Sequence, residues 1–160
     1  MRRKTRNLKG FTLTETLIVV LILALLTSAG AVGISAVMAT RVSMIQAADA
    51  EVLGSTAFQA LANELRFGQN IKVSDDGKNV VLDSVTYGLD AKIFQNSGKL
   101  QFSDNDQDQI LSESAYSGLN ISGLEFTKDG GKIKISLTVS NNKGKLWSGE
   151  LAVTPLNGLS

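Results

Sequence analysis

Three aspartates at alternate positions, Asp104, Asp106 and Asp108 in the run Ser103-Asp104-Asn105-Asp106-Gln107-Asp108-Gln109, share the spacing of the first, third and fifth ligands of a calcium loop. The rest of such a loop is missing. Gln109 stands where a glycine should turn the chain, and Ala115 where a bidentate acid should close the cage, with Glu113 the nearest substitute. The run reads as a solvated acidic loop, with calcium as the alternative and no cofactor required. A second arrangement lies at the junction Lys9-Gly10-Phe11, with Glu15 four residues beyond Phe11. Glycine at this point carries no side chain to obstruct close approach to the backbone. A chain beginning at Phe11 would start a helix with unsatisfied amides and a new positive amine. Glu15, one turn on along the same face, can offset an amine, either its own or that of a neighbouring copy.

Other chemistry is thinly supplied. Cysteine and histidine are both absent, which removes thiol nucleophiles, disulfides, the usual zinc sites and imidazole acid-base catalysis. There is also no phosphate loop, nucleophile elbow or dinucleotide fingerprint, so the chain is not expected to be an enzyme and no catalytic residue is assigned. Trp147 reads as a core or sheet residue. Lys132, Lys134, Lys143 and Lys145 form a local basic cluster, read as a solvated strand face with DNA contact as the sharper alternative.

The elements that must position these residues begin with the N-terminal segment. Met1 to Gly10 carries five basic residues (Arg2, Arg3, Lys4, Arg6 and Lys9) and no acid. Without it, eleven basic and fifteen acidic side chains leave −4, which excludes an overall basic surface for nucleic acid. From Thr16 to Thr40 there is no charge, a length sufficient to cross a bilayer, and the basic leader places the N-terminus inside and the remainder outside. An ordinary secretory signal shares these ingredients and would be cut after its apolar core, at Ala29, Ala31 or Gly33. Glu15 argues against that, because a carboxylate at the head of an apolar run is costly in lipid and gives a disposable signal nothing.

The joint pattern of basic leader, Gly10, Phe11, Thr12, Leu13, Glu15 and apolar helix, KG followed by FTLTETLIVVLILALL, resembles the processing and methylation motif of type IV prepilins and type II secretion pseudopilins. The resemblance covers roughly the first thirty residues. It implies a membrane peptidase that cuts between Gly10 and Phe11 and methylates the new amine, and a helix that is then retained. It also implies that Glu15 sets register by pairing with the amine of a neighbouring subunit. Many major pilins carry prolines in this helix, whereas the one proline here is Pro155. Local softening is left to Gly30 and Gly33, which with Ala29 serve equally for close packing of small residues.

Beyond Thr40 the helical period persists. Leu53, Ala57, Phe58, Leu61 and Leu65 form an apolar stripe, Glu64 and Arg66 lie on other faces, and Gly68 is a stop. An unbroken helix from Phe11 to Phe67 would be about 85 Å long. The period then changes to two. Ile133, Ile135, Leu137 and Val139 alternate with polar residues between Lys128-Asp129-Gly130-Gly131 and Asn141-Asn142-Lys143-Gly144, and pair with the run containing Leu146 to Val153 as a hairpin. Asn79–Tyr87, Ala91–Gln95, Lys99–Phe102 and Leu119–Thr127 read as further strands. The expected class is α+β, a long N-terminal helix, membrane-spanning in its first half and amphipathic in its second, packed on a small antiparallel sheet. The expected divisions are residues 1–10 (leader), 11–40 (apolar helix), 41–68 (amphipathic half) and 69–160 (head).

The resulting expectation is a pilin-like or pseudopilin-like structural subunit, a minor one, of a type IV pilus, secretion or DNA-uptake filament. Its partners are the prepilin peptidase and methyltransferase, copies of itself and other pilin-like subunits, the inner-membrane platform protein of the assembly machine, and membrane lipid before assembly. It would sit in the cytoplasmic membrane with the head outside, then in a cell-surface or periplasmic filament. The alternative is a single-pass anchored binding protein that never polymerises.

Overall fold

A computed structural model describes residues 12–103 and 108–158. Two compact units divide the chain, Met1–Met44 and Ile45–Ser160. The fold is α+β, with one long helix, α1 (Leu13–Phe67), followed by two antiparallel sheets.

In the first unit every described residue after Thr12 belongs to α1 and is exposed. The sequence explains the persistence of the helix. No proline interrupts it, and the helix passes through Gly30 and Gly33 without a break.

In the second unit α1 changes character. Ala50, Leu53, Gly54, Ala57, Leu61 and Leu65, three or four residues apart except for the adjacent pair Leu53 and Gly54, are buried in the core. Phe58, expected in that stripe, is only half-buried because it lies at its edge, where its ring meets Trp147 edge-on at 5.5 Å. The helix stops where Gly68 predicts. The Gly68 amide donates to the Glu64 carbonyl at 2.8 Å, and a side chain on Gly68 would collide with Leu82.

The strands form two sheets, where the sequence reading expected one. The first contains β1 (Gln69–Val73), β2 (Asn79–Ser84), β3 (Gly88–Asn96), β4 (Lys99–Ser103) and β5 (Asp108–Gln109) in chain order. A single helical turn, α2 (Glu113–Tyr116), leads to the second sheet of β6 (Asn120–Asp129), β7 (Lys132–Asn141) and β8 (Gly144–Val153). β6 does not add to the first sheet because its free edge meets the tips of two hairpins. The Phe126 amide donates to Gly77 O at 2.7 Å and the Ile121 amide to Gly98 O at 2.8 Å, while Gln95 Nε2 donates to Ile121 O at 2.7 Å. These bonds satisfy an edge that would otherwise recruit another strand.

The alternation in β7 places Ile133, Ile135, Leu137 and Val139 inward, opposite Val153, Leu151, Gly149 and Trp147 of β8. From the first sheet, Ile71, Val80, Leu82, Ile93, Leu100 and Phe102 join the same core. Each large side chain removed from water contributes about 1.5–3 kcal/mol, and in a chain without cysteine this packing replaces any covalent staple. Tyr116 of α2 is buried with its hydroxyl accepting the Leu100 amide at 2.9 Å, and burial pushes its phenol pKa up.

The segment after β8 closes the end of α1. The Leu156 amide donates to Arg66 O at 3.0 Å, and Asn157 Nδ2 lies 3.3 Å from both Phe67 O and Gly68 O. Carbonyls that a helix C-terminus leaves unsatisfied thereby gain donors.

Candidate functional site

Gly10 and Phe11 lie outside the described residues, so the geometry of the junction begins at Thr12. Thr12 caps α1. The Glu15 amide approaches both Thr12 O, at 3.0 Å, and Thr12 Oγ1, at 3.3 Å. Glu15 is therefore the third helical residue and exposed, at the helix end whose dipole favours an acid. The T-x-x-E spacing of Thr12 and Glu15 is a capping-box signature, and it was readable in the sequence. It gives Glu15 a local reason to be there beside any role between subunits.

Above Glu15 the helix surface is apolar on all sides. Leu17 to Leu26 is exposed throughout, and Arg41 is the next charge. The 25 uncharged residues between them span about 37 Å as a helix, more than the roughly 30 Å of a bilayer core. Polar groups within the segment are turned back on the helix. Thr27 donates to Leu23 O at 2.9 Å, Ser28 to Leu25 O at 2.8 Å, Ser35 to Ala31 O at 2.9 Å and Thr40 to Ala36 O at 3.0 Å. Thr16, one of the threonines flanking Glu15, does the same to Leu13 O at 2.8 Å. Hydroxyls satisfied this way can enter hydrocarbon without an orphaned donor. This helix is long and apolar enough to cross a membrane.

Gly30 and Gly33 have open space where a side chain would project. Nothing within the first unit requires them to be small.

In the head, Asp104 and Asp106 fall outside the described residues, and Asp108 is described only through its backbone in β5, opposite Phe102. Glu113, the substitute for the closing calcium ligand, is engaged elsewhere. Its carboxylate pairs with Lys99 Nζ and accepts from Gln109 Nε2, and the Lys99 bond holds its pKa below the usual carboxylate value. Among the described residues no three acidic side chains converge on one point.

The lysine cluster is divided by the hairpin that carries it. Lys132 and Lys134 lie at the start of β7, where Lys134 pairs with Asp129 at 3.3 Å. Lys145 faces Ser140 at the other end of the strand. From position 132 to 140 is about 26 Å of strand. The four lysines do not form one patch.

Two polar groups missed by sequence reasoning organise the head. Glu64, expected on a solvated face, accepts hydrogen bonds from Ser84 Oγ at 2.8 Å and Thr86 Oγ1 at 3.3 Å. Ser84 Oγ in turn accepts the amides of Thr86 and Tyr87, fixing the turn between β2 and β3. No local signal marks either residue, since the partners are about twenty positions apart in sequence.

Neither a family model, nor a curated protein, nor a solved structure matches the chain. The architecture, an apolar N-terminal helix and a small head in which the end of that helix packs on antiparallel sheets, is compatible with a pilin-like fold.

Proposed function

We propose that the chain is a pilin-like or pseudopilin-like structural subunit, cut between Gly10 and Phe11, methylated on Phe11, and polymerised through its N-terminal helix. The observation that carries this reading is the single carboxylate, Glu15, at the head of a fully exposed, uncharged helix surface. A surface of this size in one protein marks either a lipid-facing segment or an interface. A carboxylate serves the second better than the first, because an amine of a neighbouring copy neutralises it when the helix leaves lipid.

In the membrane the helix is a single-pass anchor with its N-terminus inside. In the filament the same surface packs on copies of itself and on other pilin-like subunits, delivered by the peptidase and by the platform protein of the assembly machine. The finer reading is a minor subunit of a type IV pilus, secretion or DNA-uptake filament.

The test is the incorporation of Glu15→Val. Loss of the paired charge should leave a stable, processed, membrane-inserted protein that enters filaments roughly tenfold less or worse. Undiminished incorporation would contradict the reading. Complete absence of the wild-type chain from sheared or pelleted filaments would favour the non-polymerising anchored binding protein.

A further inference from the structure

The segment that closes the end of α1 contains the one Asn-Gly pair in the sequence, Asn157-Gly158. This pair is chemically unstable in a way that the other asparagines are not. The backbone nitrogen of the following residue can attack the asparagine side-chain carbonyl, and glycine offers no Cβ to obstruct the five-membered ring that forms. Both residues are exposed, and Gly158 stands at φ +73° with open space where a side chain would project.

The side chain at risk is also the one that holds the closure. Asn157 Nδ2 donates toward Phe67 O and Gly68 O, at and just beyond the negative end of α1. We propose that Asn157 is a site of spontaneous deamidation that unties the segment after β8 from the end of α1.

The Gly158 nitrogen bonds to Cγ of Asn157 and loses its proton, and Nδ2 leaves as ammonia. Water then opens the ring at either carbonyl, giving aspartate or, through the side chain, iso-aspartate. Either product replaces two N–H donors with a carboxylate facing carbonyl oxygens. The remaining tie is the Leu156 amide on Arg66 O. Once Nδ2 has left, its bonds to Phe67 O and Gly68 O cannot re-form. The change is one-way.

The test uses the full chain in detergent micelles, incubated at mildly alkaline pH and sampled by peptide mass spectrometry with hydrogen exchange. The expected result is conversion at Asn157 ahead of every other asparagine, with both aspartate and iso-aspartate present, and none at that position in Asn157→Gln. The Leu156 amide should exchange about tenfold faster in the converted protein and in Asn157→Asp, while the core strands keep their protection. Conversion at other asparagines before Asn157 would overturn the proposed site. Unchanged exchange at Leu156 after conversion, as would follow if Arg66 paired with the new carboxylate, would overturn the untying.

Discussion

The indole of Trp147 occupies the space above Gly54 that any side chain on that glycine would fill. Gly149, on the same strand as Trp147, is bare for the same reason, with Trp147 and Phe58 both against it. Two glycines, one on a helix and one on a strand, make the slot into which the tryptophan lies.

Gly54→Ala therefore has a sign that separates packing from propensity. In an open helix the substitution would stabilise by about 1 kcal/mol. Here the methyl meets a ring, and the expected outcome is a loss of about 1–3 kcal/mol, read as a lower Tm of the full chain in detergent. Trp147→Ala combined with Gly54→Ala should cost less than the two changes summed, because removing the ring removes the collision.

Ser84→Ala is expected to destabilise by about 1–3 kcal/mol, since it strips two turn amides of their acceptor and Glu64 of a donor. Hydrogen exchange localises the effect. Protection should fall first at Thr86 and Tyr87, with the β6–β7–β8 sheet unaffected.

How far these relationships could be read in advance depends on their range. The β7 alternation and the Leu53-to-Leu65 stripe were legible because burial at each position repeats with the period of its own element. β1 escaped notice. Only Ile71 within it is buried, and Asn70 at φ 52° breaks the register with β2 before an alternating pattern can show. The division into two sheets was equally invisible, because it rests on Gly77 and Gly98 carbonyls meeting β6 from distant turns. At the candidate site, the isolation of Glu15 as the one carboxylate at the head of an apolar run was legible directly from the residue types. Its cap partner, Thr12, was overlooked although the spacing was present.

Acid should weaken the head through groups that are named by their bonds. The Lys99 ammonium lowers the pKa of Glu113, the Ser74 hydroxyl that of Asp76, and the Asp90 amide, ahead of the Asn70 side chain, that of Asp83. A carboxylate depressed in the folded state stabilises fully above its unfolded pKa of about 4 and loses that contribution as pH falls through the folded value. Melting temperature should be level above that range and fall below it. Glu113→Gln should shallow the acid limb, and an unchanged slope would show that the Lys99 bond contributes nothing.

If the chain is cut as proposed, a residue larger than Gly10 before the cut should block processing. Under the proposed function, Gly10→Val leaves the precursor at full length in the membrane, while Glu15→Val is cut normally, a contrast visible on one immunoblot. Equal processing of both variants would remove Gly10 from the junction.

The mass of the mature N-terminal peptide tests the filament-subunit reading most directly. The predicted result is a chain that begins at Phe11 and carries a methyl group on its amine. A chain cut between Ala29 and Gly33, or one that retains Met1 to Gly10 in cells with an active prepilin peptidase, would contradict it.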